Sequence, residues 1–114
     1  MVNQRGDMRK DAREMMRGGE GTVQFTYLVD CEKEKNIRLL AELTLPPGAS
    51  IGYHRHDNET EYFVILSGAG EVNDNGVVKP VKPGDTIITG NGDSHSIKNT
   101  GGVPLVFHAI IVTC

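Results

Sequence analysis

The feature that most constrains this chain is a side-chain alternation of period two, interrupted by turn signals every eight to twelve residues from residue 22 onward. Val23, Phe25, Tyr27 and Val29 alternate with Gln24 and Thr26. Ile37, Leu39, Ala41, Leu43 and Leu45 alternate with Arg38, Leu40, Glu42 and Thr44 until Pro47-Gly48 breaks the run. Successive side chains of an extended chain point to opposite faces, so each run buries one face. Further strands are expected over 51–56, 61–66, 68–73, 77–81, 86–89, 95–99 and 105–112. Asn75-Gly76 reads as a hairpin turn, because both residues tolerate positive φ, and Lys82-Pro83-Gly84-Asp85 reads as a type II turn. Eight or nine short strands in 114 residues predict an all-β sandwich or barrel in one domain.

Two segments stand apart from that pattern. Residues 1–21 are polar and Met-rich and form an amino-terminal arm ahead of a barrel over 22–114. Asp7 can cap a helix running to Arg17, or the arm can lie extended over the barrel; both readings are open. Residues 61–66 are apolar on both faces, with Phe63 and Ile65 one way and Tyr62, Val64 and Leu66 the other. A strand of that kind needs an outer cover, so a homodimer built partly by residues 1–30 is expected.

Charge removes several function classes. Fifteen acidic residues exceed twelve basic ones, for a net charge of −3, and no long basic run is present, which argues against nucleic acid as partner. No apolar stretch approaches the roughly 18 residues of a membrane span, and the charged first residues do not read as a secretory signal. A cytoplasmic protein with Cys31 and Cys114 as free thiols is expected.

The chemistry resides in the histidines. His54 and His56 are two apart and share a face of their strand; Glu61 follows a polar corner, and His95 lies on a later strand behind a Gly-rich turn. Imidazole and carboxylate together suit one divalent first-row metal: Mn, Fe, Co, Ni, Cu or Zn. Glu59 shares parity with Glu61 and is an alternative carboxylate.

The glycines around these residues extend the pattern. Residues 48–68 carry Gly48, His54-Arg55-His56, Glu61 and Gly68; residues 84–99 carry Gly84, Gly90, His95 and Asn99. Both stretches resemble the two sequence motifs of the cupin superfamily, in the right order and 15 residues apart, as in small one-domain bacterial cupins. Gly90 stands where the family has Pro, which loosens a turn but removes no ligand. The resemblance implies a double-stranded β-helix, the jelly-roll or cupin barrel, with a metal inside held by His54, His56, Glu61 and His95. Glu59 then becomes a solvated corner residue.

The function expected from that resemblance is a metal-dependent enzyme acting on a small oxygen-rich or carboxylate-bearing molecule, as a dioxygenase, isomerase, decarboxylase or lyase. The alternative is a non-catalytic cupin that binds or senses a small-molecule ligand. His108 separates the two. If the last hairpin turns at Gly101-Gly102, His108 sits opposite His95 and can act as a catalytic acid or base; one step of register turns it outward.

Overall fold

Each period-two run forms a strand in the computed structural model, which describes residues 1–114. The strands are β1 (Lys10–Glu14), β2 (Thr22–Tyr27), β3 (Ile37–Leu45), β4 (Ser50–Arg55), β5 (Glu59–Ser67), β6 (Gly70–Asp74), β7 (Val77–Val81), β8 (Thr86–Thr89), β9 (Ser94–Asn99) and β10 (Leu105–Thr113). They form two antiparallel sheets, a six-stranded one in the order β1-β2-β3-β10-β5-β8 and a four-stranded one in the order β4-β9-β6-β7. This is the double-stranded β-helix. The β6–β7 hairpin turns at Asn75 (φ 52°) and Gly76 (φ 95°), the two positive angles a two-residue turn of this twist requires. No helix is long and apolar enough to cross a membrane.

The core lies between the sheets. Phe25, Leu43, Leu45, Phe63, Ile65, Leu105, Phe107 and Ala109 face it from the larger sheet, and Ile51, Val72 and Ile97 from the smaller. Phe63 and Phe107 meet with ring centroids 4.6 Å apart. Asn99 is buried among these apolar groups and fully bonded. Its Nδ2 donates to the Leu45 and Val103 carbonyls at 2.8 Å each, and its Oδ1 accepts from Gly101 N–H at 2.9 Å. A satisfied buried amide of this kind fixes the β9–β10 connection without a desolvation penalty.

Residues 1–21 take the extended alternative. No helix runs from Asp7 to Arg17; β1 instead pairs with β2, with Lys10 opposite Thr26 and Glu14 opposite Thr22. The ladder of β2 supplies backbone partners that an isolated helix of about three turns would have to find at its own nucleation cost. After β1, a short 3-10 turn at Met16–Gly18 brings the arm against β4. The contact is backbone on backbone. A Cβ on Gly52 would strike the Arg17 carbonyl, and one on Gly19 would strike the Ser50 carbonyl.

Two bulges re-aim functional side chains. Between β4 and β9 the register runs from Ile51 opposite Ile97 to His54 opposite His95, three residues against two. The extra residue at Gly52-Tyr53 turns His54 to the inner face that Ile51 already occupies. On β3, Leu39 pairs with Ile111 and Ile37 with Val112, so Arg38 is the extra residue there.

The expected pairing of His95 with His108 does not form. β9 lies in the smaller sheet between β4 and β6, whereas β10 lies between β3 and β5 in the larger, so the two strands are not neighbours. Along β10 the buried residues are Leu105, Phe107, Ala109 and Ile111. His108 therefore has outward parity, opposite Glu42 and Val64, and its Nε2 lies 3.3 Å from Glu42 Oε1. The acid/base role expected of it is corrected on this ground: its ring is on the wrong side of the sheet.

Substituting Gly52→Ala forces the arm off β4. The expected loss is about 1–3 kcal/mol in chemical denaturation, with faster proteolysis within residues 1–21. Gly102→Ala, where a Cβ meets nothing within 4 Å, is expected to change stability by less than about 0.5 kcal/mol.

Candidate metal centre

The four residues singled out by spacing come together inside the barrel. His54 is on β4, His56 just beyond its end, Glu61 on β5 and His95 on β9, and their donor atoms all lie within 4.8 Å of one another. His56, Glu61 and His95 are buried, and His54 is half-buried. The three Nε2 atoms form a near-equilateral triangle with sides of 3.0, 3.1 and 3.2 Å. Glu61 Oε1 is 3.0 Å from His56 Nε2 and 2.9 Å from His95 Nε2. Donors about 2.1 Å from a common ion are about 3.0 Å apart when the bonds meet at right angles and about 3.4 Å apart at tetrahedral angles. These five separations match the right-angled case, so the four side chains would hold a divalent ion and leave room on it for further ligands.

The far nitrogen of each ring explains why the near ones converge. His54 Nδ1 is 2.7 Å from the Gly52 carbonyl, and His56 Nδ1 is 2.5 Å from Glu59 Oε2. Both partners only accept, so both Nδ1 atoms carry the proton, and the Nε2 atoms present lone pairs. His95 Nδ1 contacts the hydroxyl of fully buried Thr89 at 2.6 Å. Lone pairs of two neutral imidazoles facing each other at 3.1 Å, with a carboxylate alongside, have no donor among them. A cation satisfies such a set, and the residues present therefore fit a divalent metal.

The electrostatics follow the same geometry. Burial lowers the pKa of His54 and keeps it neutral. His56 is raised, first by its contact with Glu61 and also by Glu59, against the opposing effect of burial. Burial works to raise Glu61, but contacts from His56 and His95 outweigh it and the net direction is down.

Glu59 departs from the solvated corner that its spacing predicts. It begins β5 rather than sitting in a solvated corner, and it joins Arg38 to His56. Arg38 Nε and Nη2 each donate to it at 2.8 Å, one to each carboxylate oxygen. That paired hydrogen bond, with further lowering from His56, brings the Glu59 pKa to about 2. The shared parity of Glu59 and Glu61 was the available signal; the bulge that swings Arg38 toward it had none. Tyr53 and Arg55 point away from the cluster, the latter paired with Asp57 at 2.7 Å.

The cluster opens into a cavity of about 280 Å³, lined on its outer side by Arg9, Asp11, Arg13, Arg17, Tyr27 and Arg38. That volume is at the small end of ligand sites. A more open cleft of about 380 Å³ shares Arg9, Tyr27 and Arg38 but continues over Asp30, Cys31, Glu32, Glu34 and Lys35. Cys31 and Cys114 are both free.

Comparison with known proteins places this geometry. The family model described as "Cupin domain" matches residues 41–112. An oxalate-binding protein of Thermotoga maritima is 47% identical over 98 residues, spanning 85% of this chain and 81% of its own length. The crystal structure of a predicted oxalate decarboxylase from the same organism superposes with a TM-score of 0.95 and 41% identity over the whole of both chains. A sugar phosphate isomerase from Silicibacter pomeroyi, at 22% identity and a TM-score of 0.71 over 81% of this chain and 60% of that one, is similar in fold.

Glu59→Gln removes the charge that holds the His56 ring. Partners of this type contribute about 10- to 100-fold to metal affinity. The expected result is that loss in a chelator competition titration, with unchanged far-UV circular dichroism, whereas His56→Ala abolishes metal retention.

Proposed function

The chain belongs to the cupin family, and we propose that it holds one divalent transition metal through His54, His56, Glu61 and His95 and binds a small carboxylate-bearing molecule on the positions those residues leave open. The observation that carries this reading is the convergence of three Nε2 atoms and one carboxylate oxygen at right-angle spacing, beneath a cavity of about 280 Å³. A bound divalent ion supplies a Lewis-acid template for carboxylate oxygens. The protein's part is to fix the three rings by their far nitrogens, to exclude water on the Phe63 and Ile51 side, and to present cationic groups at the mouth. The 47% identical oxalate-binding relative supports oxalate as the first ligand to test.

A metal-dependent enzyme is the second reading. With His108 on the outer face, the candidate proton carriers are Tyr27 and Asp11, whose Oη and Oδ2 atoms lie 3.4 Å apart on the cavity wall. The relative described as a predicted oxalate decarboxylase is consistent with such chemistry. Two free thiols fit a reducing cytoplasm.

The homodimer expected to be built partly by residues 1–30 is proposed instead on the outer face of the six-stranded sheet, because β1 pairs with β2 of its own chain. Leu40, Ile110, Tyr62 and Ile88 form one cross-strand row on the outer face of the six-stranded sheet, and Val106 and Leu66 lie on the same side beyond the His108–Val64 pair. Ile88 is 61% exposed and Leu66 42% exposed in the single chain. A second copy related by a two-fold axis would cover this row against itself.

Metal analysis of protein purified without chelators is expected to give about one divalent ion per chain. Calorimetric titration with oxalate should then show binding that disappears when the metal is stripped and returns on reloading. Retained metal with no oxalate binding would defeat the carboxylate reading, and absence of any divalent ion after reconstitution would defeat the metal reading. Light scattering should give the mass of two chains, reduced to one by Ile88→Asp; a single-chain mass for the unaltered protein would exclude the dimer.

A further inference from the structure

We infer that the amino-terminal arm is a selectivity element: Arg9, Arg13 and Arg17, together with Arg38, form a cationic mouth that selects small dianions over monoanions and neutral molecules. The inference rests on the reading of the cavity as a metal site for a carboxylate and extends it to the charge of the ligand.

The first argument is one of placement. The chain has six arginines, and four of them line this one cavity. Arg9 and Arg13 are four apart, an even spacing that keeps them on one face of the extended chain, and Arg17 reaches the same cavity from the turn at Met16–Gly18. The β1–β2 register fixes which face. Arg13 lies opposite Val23 and Asp11 opposite Phe25, and both partners belong to the core. Residues directly opposite in an antiparallel pair share a face, so Asp11 and Arg13 look inward over the barrel mouth, while Lys10 and Glu14 have outward parity.

The second argument is that these charges are held in place and that two of them, Arg9 and Arg17, are not neutralised. The Arg9 guanidinium carbon sits 4.0 Å over the Tyr27 ring, and that of Arg13 sits 4.7 Å over Phe25. Stacking engages the faces of the guanidinium and leaves its N–H edges for a planar oxyanion. Arg13 gives one of its donors to Tyr27 Oη at 3.1 Å, and its carboxylate neighbour is Asp11, with Nε 3.6 Å from Oδ2. Arg9 and Arg17 have no carboxylate within ion-pair distance, in contrast to Arg5 and Arg38. Arg38 commits two of its five N–H groups to Glu59.

Charge balance decides the class of ligand. Four guanidinium groups face three carboxylates, Asp11, Glu61 and the Glu59 that Arg38 grips, which leaves one formal positive charge from the side chains, to which a seated divalent ion would add two. This excess sits in a chain whose net charge is −3, so it is local and opposes the global sign. A monocarboxylate seated on the open positions beside the cluster would leave the arginines unanswered. A dicarboxylate of the size of oxalate can present one end to those positions and the other to the arm within a cavity of about 280 Å³.

The test uses protein reconstituted with Mn(II) and three probes of similar size: oxalate, glycolate and ethylene glycol, titrated calorimetrically at low salt. Arg9→Met, Arg13→Met and Arg17→Met remove charge while keeping the apolar stem that packs on the rings. The unaltered protein is expected to prefer oxalate over glycolate by tenfold or more. The Arg13→Met protein and the Arg9→Met/Arg17→Met protein should each lose about tenfold on oxalate and change little on glycolate, with full metal content. Should a variant fail to fold, the unaltered protein still decides, because the proposal requires the oxalate preference to shrink steeply as salt rises from 50 to 500 mM. Oxalate binding that is unchanged in the folded variants, or equal affinity for oxalate and glycolate, would overturn the selectivity role and leave the metal reading intact. Loss of Mn(II) from the unaltered protein would instead overturn the metal reading on which it rests.

Discussion

Everything around the cavity answers to one constraint: lone pairs brought together in a buried place must have something to point at. A neutral imidazole has one donor and one acceptor, and its orientation is set by whichever nitrogen finds a partner first. Here the outer nitrogens of His54 and His56 are claimed by acceptors, a backbone carbonyl and a carboxylate, and the inner ones are left to converge. The fold supplies those outer partners from different elements: Gly52 on β4, Glu59 at the start of β5 and Thr89 on β8. Both sheets are thereby fastened to the same four side chains, and the cluster cannot shift without disturbing strands on each side of the barrel.

The bulges are how a regular architecture accommodates that demand. A strict pleat would put Ile51 and His54 on opposite faces, because they are three apart. The extra residue at Gly52-Tyr53 removes the conflict, and the same glycine lets the Arg17 carbonyl approach. One residue without a side chain thus serves the ligand geometry, the tautomer of His54 and the seating of the arm. On β3, the bulge at Arg38 converts a position of outward parity into one that reaches Glu59 and the cavity mouth.

Much of this was legible in the sequence, and the failures are physically specific. Strands over 37–45, 77–81 and 86–89 were read to the residue, because their alternation is clean and their ends carry Pro, Gly or Asn. The grouping of His54, His56, Glu61 and His95 followed from parity and from the glycine spacing of two motifs. Parity holds only between bulges, however, and nothing in single-chain patterning announces where a bulge falls. Plain alternation therefore puts Arg38 on the outer face and Glu59 in solvent, whereas the bulge brings the two together. His108 failed for a different reason: adjacency in sequence was taken for adjacency in the sheet, whereas the β9–β10 connection crosses from one sheet to the other. The arm was undecided because its ladder partner, β2, is a tertiary fact rather than a local one.

The arm is also the edge strand of the larger sheet, and this gives it a part in keeping the protein dispersed. β2 without β1 would expose a row of unpaired amides and carbonyls, a template on which other chains can build. The residues that cover this row are the ones that wall the cavity. A molecule resting on Arg9 and Arg13 would favour the paired state of the arm by mass action. The segment that closes the edge of the larger sheet and the segment that walls the cavity are one and the same, so a change that loosens one would loosen the other.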